Sequence, residues 1–201
     1  MIVTTIKNKI KTMIKESKGC VLCGMVSDYE FNLLSNIQYQ VTNDDRIREQ
    51  ISIEGGFCDF HFKQFKQIAS GKTKLLLDYS LIKNILSNGQ LPNINCRICS
   101  RVDEFESSAI PVVIELFMDE SFRMDYAQSF GLCIPHLRRI LEENNDERLA
   151  DWLKQTYKNQ MTKLKSILEE MMKANSYYSI GVEKRRLINL TIEKFTGRKS
   201  N

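Results

Sequence analysis

Along most of the chain, apolar residues return every three or four positions, the spacing that lines one face of a helix. Ile2, Ile6, Ile10, Met13 and Ile14 form such a stripe, with lysines opposite. The same spacing predicts helices over Tyr29 to Gln40 and over Asp44 to Ser52, the second capped by Asp44. Gly55-Gly56 then interrupts the pattern before Cys58. Helices are expected again over Asp59 to Ala69 and Lys72 to Leu86, separated by Gly71. Asn88-Gly89 and Pro92 mark a linker. The longest stripe holds Leu149, Trp152, Leu153, Tyr157, Met161, Leu164, Leu168 and Met171. It predicts one helix from the cap Asp146 to about Ala174, about 40 Å long at ~1.5 Å per residue. A last helix is expected over Glu183 to Phe195. Nowhere is the two-residue alternation of a strand sustained, although a short hairpin at a metal knuckle would escape this test. The expected fold class is all-α.

The cysteines and histidines follow a second pattern. Cys20-Val-Leu-Cys23 precedes Cys58-Asp-Phe-His61, and Cys96-Arg-Ile-Cys99 precedes Cys133-Ile-Pro-His136. The gaps are 34 residues (24–57) and 33 residues (100–132), and the pattern uses all six cysteines and both histidines. Two intervening residues place both ligands of a pair on one side of a tight turn. In a CxxH at a helix start, residues three apart share a face, and the positive helix end favours a thiolate-rich site. Gly56 and Gly131 precede the CxxH elements and permit a sharp entry into that helix. The set predicts two four-coordinate sites of three sulfurs and one nitrogen, with two Zn²⁺ as occupants.

The halves also match outside the ligands. An offset of 76 superposes Cys20, Cys23, Val26, Asp28, Tyr29 and Glu30 on Cys96, Cys99, Val102, Glu104, Phe105 and Glu106. An offset of 75 superposes Arg48, Gly56, Cys58, His61 and Phe65 on Arg123, Gly131, Cys133, His136 and Ile140. Such matching indicates an internal duplication. The expected organisation is an amphipathic helix (1–18), a first zinc repeat (19–90), a second (91–145) and a C-terminal helical region (146–201). The long helix would clamp the metal-stapled repeats. A repeat is usually self-contained, so pairing within each is expected: Cys20, Cys23, Cys58 and His61 at one ion, and Cys96, Cys99, Cys133 and His136 at the other. Exchange of ligands between repeats is the open alternative.

Composition narrows the class. The chain has 201 residues, 42% hydrophobic and 27% charged, so it is foldable rather than disordered. Its formal charge is +4. Six thiolates remove six charges and two Zn²⁺ restore four, leaving +2, which does not commit the chain to nucleic acid. Lys7, Lys9, Lys11 and Lys15 stand where a secretory leader needs apolar residues, and no stretch is long enough to span a membrane. A cytoplasmic location is expected, where paired cysteines bind metal rather than form disulfides.

Other signals are weaker. Gly71-Lys72-Thr73 resembles the end of a phosphate-binding loop, but Lys66 occupies the place of its first glycine. Asp44-Asp45 and Asp103-Glu104 suit helix caps and solvated faces. Glu30 and Glu106 are expected as exposed helix carboxylates, the alternative being a hydrogen bond to a ligand histidine. Arg138-Arg139 and Lys184-Arg185-Arg186 suit solvated faces, or phosphate contacts in a nucleic-acid-binding regulator. The lysine-rich first helix is expected to dock on the bundle rather than lie on a membrane.

Taken together, Cys20 to Cys23, Gly56 to His61, Cys96 to Cys99, Gly131 to His136 and an ending of Asn175-Ser176-Tyr177-Tyr178, then Glu183 to Gly197, resemble a prokaryotic family of unknown function. Its members carry duplicated CxxC and Gly-aromatic-Cys-x-x-His half-sites and a helical C-terminus. They have a proline inside the CxxC, which is missing here. The resemblance implies metal and fold, and no activity. The expected function is zinc binding in a structural role, within an interaction or regulatory protein that has a protein partner. A nucleic-acid-binding regulator and an iron–sulfur or redox protein are the alternatives. Four ligands per ion leave no open position, which argues against a zinc enzyme.

Overall fold

The computed structural model describes residues 2–16, 19–89, 93–173 and 182–197. Among them are ten helices and no strand. They are α1 (Ile2–Glu16), α2 (Val21–Asn43), α3 (Asp45–Ile53), α4 (Asp59–Ile68), α5 (Gly71–Asn88), α6 (Arg97–Leu116), α7 (Glu120–Gln128), α8 (Ile134–Glu143), α9 (Glu147–Met172) and α10 (Val182–Thr196). Pro92 and the stretch Asn175 to Tyr178 lie outside the described residues.

Two compact units share these helices. One joins the chain up to Ser27 with the chain from Glu106 onward, and the other holds Asp28–Phe105. The boundaries fall inside α2 and α6, so each of these helices starts in one unit and ends in the other.

In the unit formed by Asp28–Phe105, Leu34, Ile37, Val41, Ile51, Phe57, Phe65, Leu77 and Ile98 build the core. Phe57 packs against Phe62 and Phe65, with ring centroids 5.6 and 5.4 Å away. Asp44 caps α3 by accepting from the Arg46 amide, as its side chain and position predict. Gly71 opens α5 instead of breaking the chain. Ser70 is the cap and accepts from the Thr73 amide, so the Gly-Lys-Thr signal is a helix start. Tyr29 of α2 stacks on Phe105 of α6, with centroids 4.3 Å apart and planes within 3°. These are two of the residues that the offset of 76 superposes.

The other unit centres on Phe117, Phe122, Tyr126 and Trp152, whose rings meet edge-on or tilted. Asp146 caps α9 through the Arg148 and Leu149 amides. α9 lies in this unit and contacts α7 and α10. Ile10 and Ile14 of α1 are buried. The lysines on the other side of α1 are engaged too: Lys7 with Glu115 at 2.6 Å, Lys11 with Asp119 at 3.0 Å and Lys15 with Asp125 at 3.7 Å. The α1 stripe therefore docks on protein, and its cationic side is matched by carboxylates. Such exposed pairs orient more than they stabilise.

Candidate metal centres

Four short elements carry the predicted ligands, and all four are helix N-termini. Cys58 and Cys133 are the N-cap residues of α4 and α8. Their carbonyls accept from Phe62 and Leu137 at 2.9 Å. Cys20 and Cys96 immediately precede α2 and α6, and their carbonyls accept from Gly24 at 3.0 Å and Ser100 at 3.2 Å. In each case the second ligand is three residues on, inside the first turn. Sequence periodicity places the CxxH elements on helices but starts the first CxxC helix only at Tyr29. The Cys-Val-Leu-Cys turn is too short to show a stripe. Gly56 and Gly131 hold φ of +86° and +77°, the left-handed geometry that turns the chain into α4 and α8.

The ligands assemble in two buried or half-buried clusters, and the pairing is crossed. Cys20, Cys23, Cys133 and His136 form one, and Cys58, His61, Cys96 and Cys99 the other. Pairing within each repeat is therefore corrected: the CxxC of each half meets the CxxH of the other. Loops of 33 and 34 residues look sufficient to close each repeat on itself. Yet α2 and α6 each begin in one unit and end in the other, a property that ligand spacing does not encode.

In the first cluster, Cys133 Sγ lies 3.0 Å, Cys23 Sγ 3.3 Å and Cys20 Sγ 3.4 Å from His136 Nδ1, and Cys23 and Cys133 sulfurs are 3.6 Å apart. In the second, the sulfurs of Cys58, Cys96 and Cys99 lie 3.2, 3.3 and 3.3 Å from His61 Nδ1, and Cys58 and Cys99 are 3.7 Å apart. Within each cluster all four ligand atoms lie within 4.8 Å of one another. None of the cysteines is in a disulfide. A tetrahedral ion with bonds of ~2.3 Å to sulfur and ~2.0 Å to nitrogen sets edges of about 3.8 Å between sulfurs and about 3.5 Å from sulfur to nitrogen. The four distances given for each cluster match those edges to within about half an ångström. The clusters can hold metal ions.

Both histidines turn Nδ1 to the sulfurs and Nε2 to a glutamate. His61 Nε2 lies 2.8 Å from Glu30 Oε1, and Glu30 is 3% exposed. His136 Nε2 lies 3.4 Å from Glu106 Oε1, which also accepts from Arg139 at 2.7 Å. The expectation of exposed helix carboxylates is thus corrected. Glu30 follows Cys23 by seven residues, as Glu106 follows Cys99. Seven residues are two helical turns, so cysteine and glutamate share a face. α2 gives its cysteines to the first cluster and its glutamate to the histidine of the second; α6 does the reverse. Arg139, expected on a solvated face, fixes Glu106, while Arg138 is exposed.

The electrostatics show what the clusters lack without a cation. Burial opposes charge on both rings, but adjacent sulfurs and glutamates outweigh it, and the histidines are pushed up to about 10 (His61) and about 12 (His136). In the second cluster burial is also outweighed at Cys96, where His61 and backbone amides bring the thiol down to about 6. Burial and the neighbouring sulfurs push Cys99 up to about 12. In the first cluster Cys20 goes down despite its burial, while its sulfur neighbours and burial push Cys23 up. A metal-free cluster therefore holds protons that a cation must displace. Two further residues surround the first cluster. Gly197, at φ +71° after α10, sits where an added Cβ would lie 3.7 Å from Cys133 Sγ and 3.8 Å from Cys23 Sγ. Lys194 is buried and donates to the Phe130 carbonyl. Neither was identifiable as near the site from its spacing.

These features define a helical protein with two clusters of three cysteines and one histidine, set at paired helix N-termini. Residues 78–179, just over half of the chain, match a family of unknown function, DUF6062, and the chain belongs to that family. The match includes Cys96, Cys99, Cys133 and His136 but not the ligands of the first half. No curated protein and no solved structure matches the chain.

Proposed function

We propose that this chain is a cytoplasmic zinc-binding protein in which Cys20, Cys23, Cys133 and His136 hold one Zn²⁺ and Cys58, His61, Cys96 and Cys99 a second. The role of both ions is structural, within an interaction or regulatory protein. The observation that carries the reading is the closure of four soft ligand atoms within 4.8 Å of one another, twice. Three thiolates, one neutral imidazole and Zn²⁺ sum to −1, which suits the positive ends of the two helices that frame each cluster. Ligand atoms this close leave room for one ion and not for an iron–sulfur cluster with its bridging sulfides. Four protein ligands leave no position for a substrate or an activated water, so a structural role fits better than a catalytic one. Of the basic groups that suit phosphate contacts, Arg139 is paired with Glu106 and Glu143, Arg138 is exposed, and the side chains of Lys184, Arg185 and Arg186 lie outside the described residues. Elemental analysis of chain purified without added metal tests the proposal. About two zinc ions per chain and no visible colour are expected. A metal-free product, or a visible charge-transfer band from iron, refutes it.

A further inference from the structure

Helix α5 is apolar on two sides. Thr73 and Leu77 are buried in the core of its unit. On the other side Leu75, Tyr79, Ile82 and Leu86 are 72%, 68%, 58% and 78% exposed. Their spacing of four, three and four is that of a coiled-coil seam, with Leu75 and Ile82 at d positions and Tyr79 and Leu86 at a. Ile53 of α3, 64% exposed, borders the same groove as Tyr79 and extends the patch. Asp78 and Lys83 flank the seam on opposite sides, and both are exposed. Among the described residues neither is engaged in an ion pair.

We propose that this face pairs with a second copy of the chain, the two α5 helices lying parallel and in register about a two-fold axis. The charges select this arrangement. Asp78 is a g position and Lys83 the e position five residues later. In a parallel pair that g faces that e of the partner helix, so the two-fold axis makes two Asp78–Lys83 pairs. An antiparallel pair sets g against g and e against e, which leaves the aspartate and the lysine on separate flanks. The two patches together remove on the order of 1,200 Å² from water, the lower edge of a stable specific interface. Packing of Thr73 and Leu77 already fixes the helix within its unit, so pairing needs no helix nucleation. Nothing in this inference depends on the metal reading.

Sedimentation equilibrium of the metal-loaded full chain, from about 1 to about 200 μM, tests it. A reversible monomer–dimer equilibrium with Kd on the order of tens of micromolar is expected. Tyr79→Glu, with an unchanged circular dichroism spectrum, should leave monomer throughout. Asp78→Lys and Lys83→Asp should each weaken the dimer about tenfold, because each turns two attractions into two repulsions. The double swap D78K/K83D should bring Kd back close to the wild-type value. A wild-type chain that stays monomeric, a dimer that survives Tyr79→Glu, or a double swap no tighter than its parents overturns the proposal.

Discussion

Counting the ions retained by paired cysteine variants separates crossed ligation from ligation within repeats. Cys20 lies 3.4 Å from His136 and Cys23 3.6 Å from Cys133. Removing Cys20 or Cys133 should therefore disable the same ion, and removing both should cost no more metal than removing either. Cys20→Ser, Cys133→Ser and the double variant are each expected to purify with about one zinc per chain, whereas Cys20→Ser with Cys58→Ser should purify with none. Pairing within repeats gives the opposite: none for the 20/133 variant and one for the 20/58 variant. Stability should follow the count. Structural zinc contributes ~10–16 kcal/mol in small peptides, as much as the whole ~5–15 kcal/mol of a typical domain. Even about 4 kcal/mol lost with one ion lowers Tm by roughly 10 °C for a chain of this length. The first serine should have that effect, and the second serine in the same cluster should add about 1 kcal/mol or less. Mass spectrometry under native conditions gives the count, and thermal melts the coupling. One zinc retained by the 20/58 variant would refute crossed ligation outright.

Other outcomes follow from the same geometry. Glu30→Gln should weaken zinc binding at the second cluster by about 10- to 100-fold, and Glu106→Gln should do less at the first because its contact is longer; competition with a chromogenic chelator measures both. Cys58 and Cys99 are half-exposed while all four residues of the first cluster are buried. Zinc release to a chelator should accordingly be biphasic, and Cys58→Ser should remove the fast phase. Affinity should fall as pH falls, since the ion must displace protons from His61 and Cys99, and calorimetry in buffers of different ionisation enthalpy counts those protons. For metal-stripped protein, His61 rises from 6.5 to about 10, so its contribution is complete below 6.5 and lost as pH rises through about 10. Cys96 falls from 9.0 to about 6, so its contribution is complete above 9.0 and lost as pH falls through about 6. Cys99 rises from 9.0 to about 12, so its contribution is complete below 9.0 and lost as pH rises through about 12. The metal-stripped second cluster should thus be most stable between about 6 and 9, as a series of denaturant melts would show. Gly131→Ala forces a left-handed φ on alanine and drives its Cβ into the buried Gln160 amide. A loss of about 1–3 kcal/mol is expected in denaturant melts.

Much of this was legible in the chain because the relevant physics is local. Helix stripes and the caps Asp44 and Asp146 depend on neighbours a few residues away, and α3, α4, α5 and α9 begin and end close to where those signals lie, whereas α2 begins at Val21, well before its stripe. The eight cysteines and histidines stand out because ligand chemistry restricts the residue types. What the spacing could not show was long-range. Whether Cys20 reaches His61 or His136 depends on the course of α2 and α6, and two similar loop lengths leave that open. Glu30 is an ordinary helix glutamate until the fold buries it against His61. The exposed side of α5 was equally hidden, since Leu75 and Leu77 are both leucines and only packing says which one faces the core.

Crossed ligation also sets an order of assembly on a chain made from its N-terminus. The second cluster joins residues 35 to 41 positions apart, and the first joins residues 110 to 116 apart. During synthesis the Cys20–Cys23 pair emerges first but must wait for its partners until His136 has left the ribosome. By then Cys58, His61, Cys96 and Cys99 are all free to capture an ion. The earliest thiols to appear are the last to be sealed, and for that interval they are the ones open to a wrong metal or an oxidant.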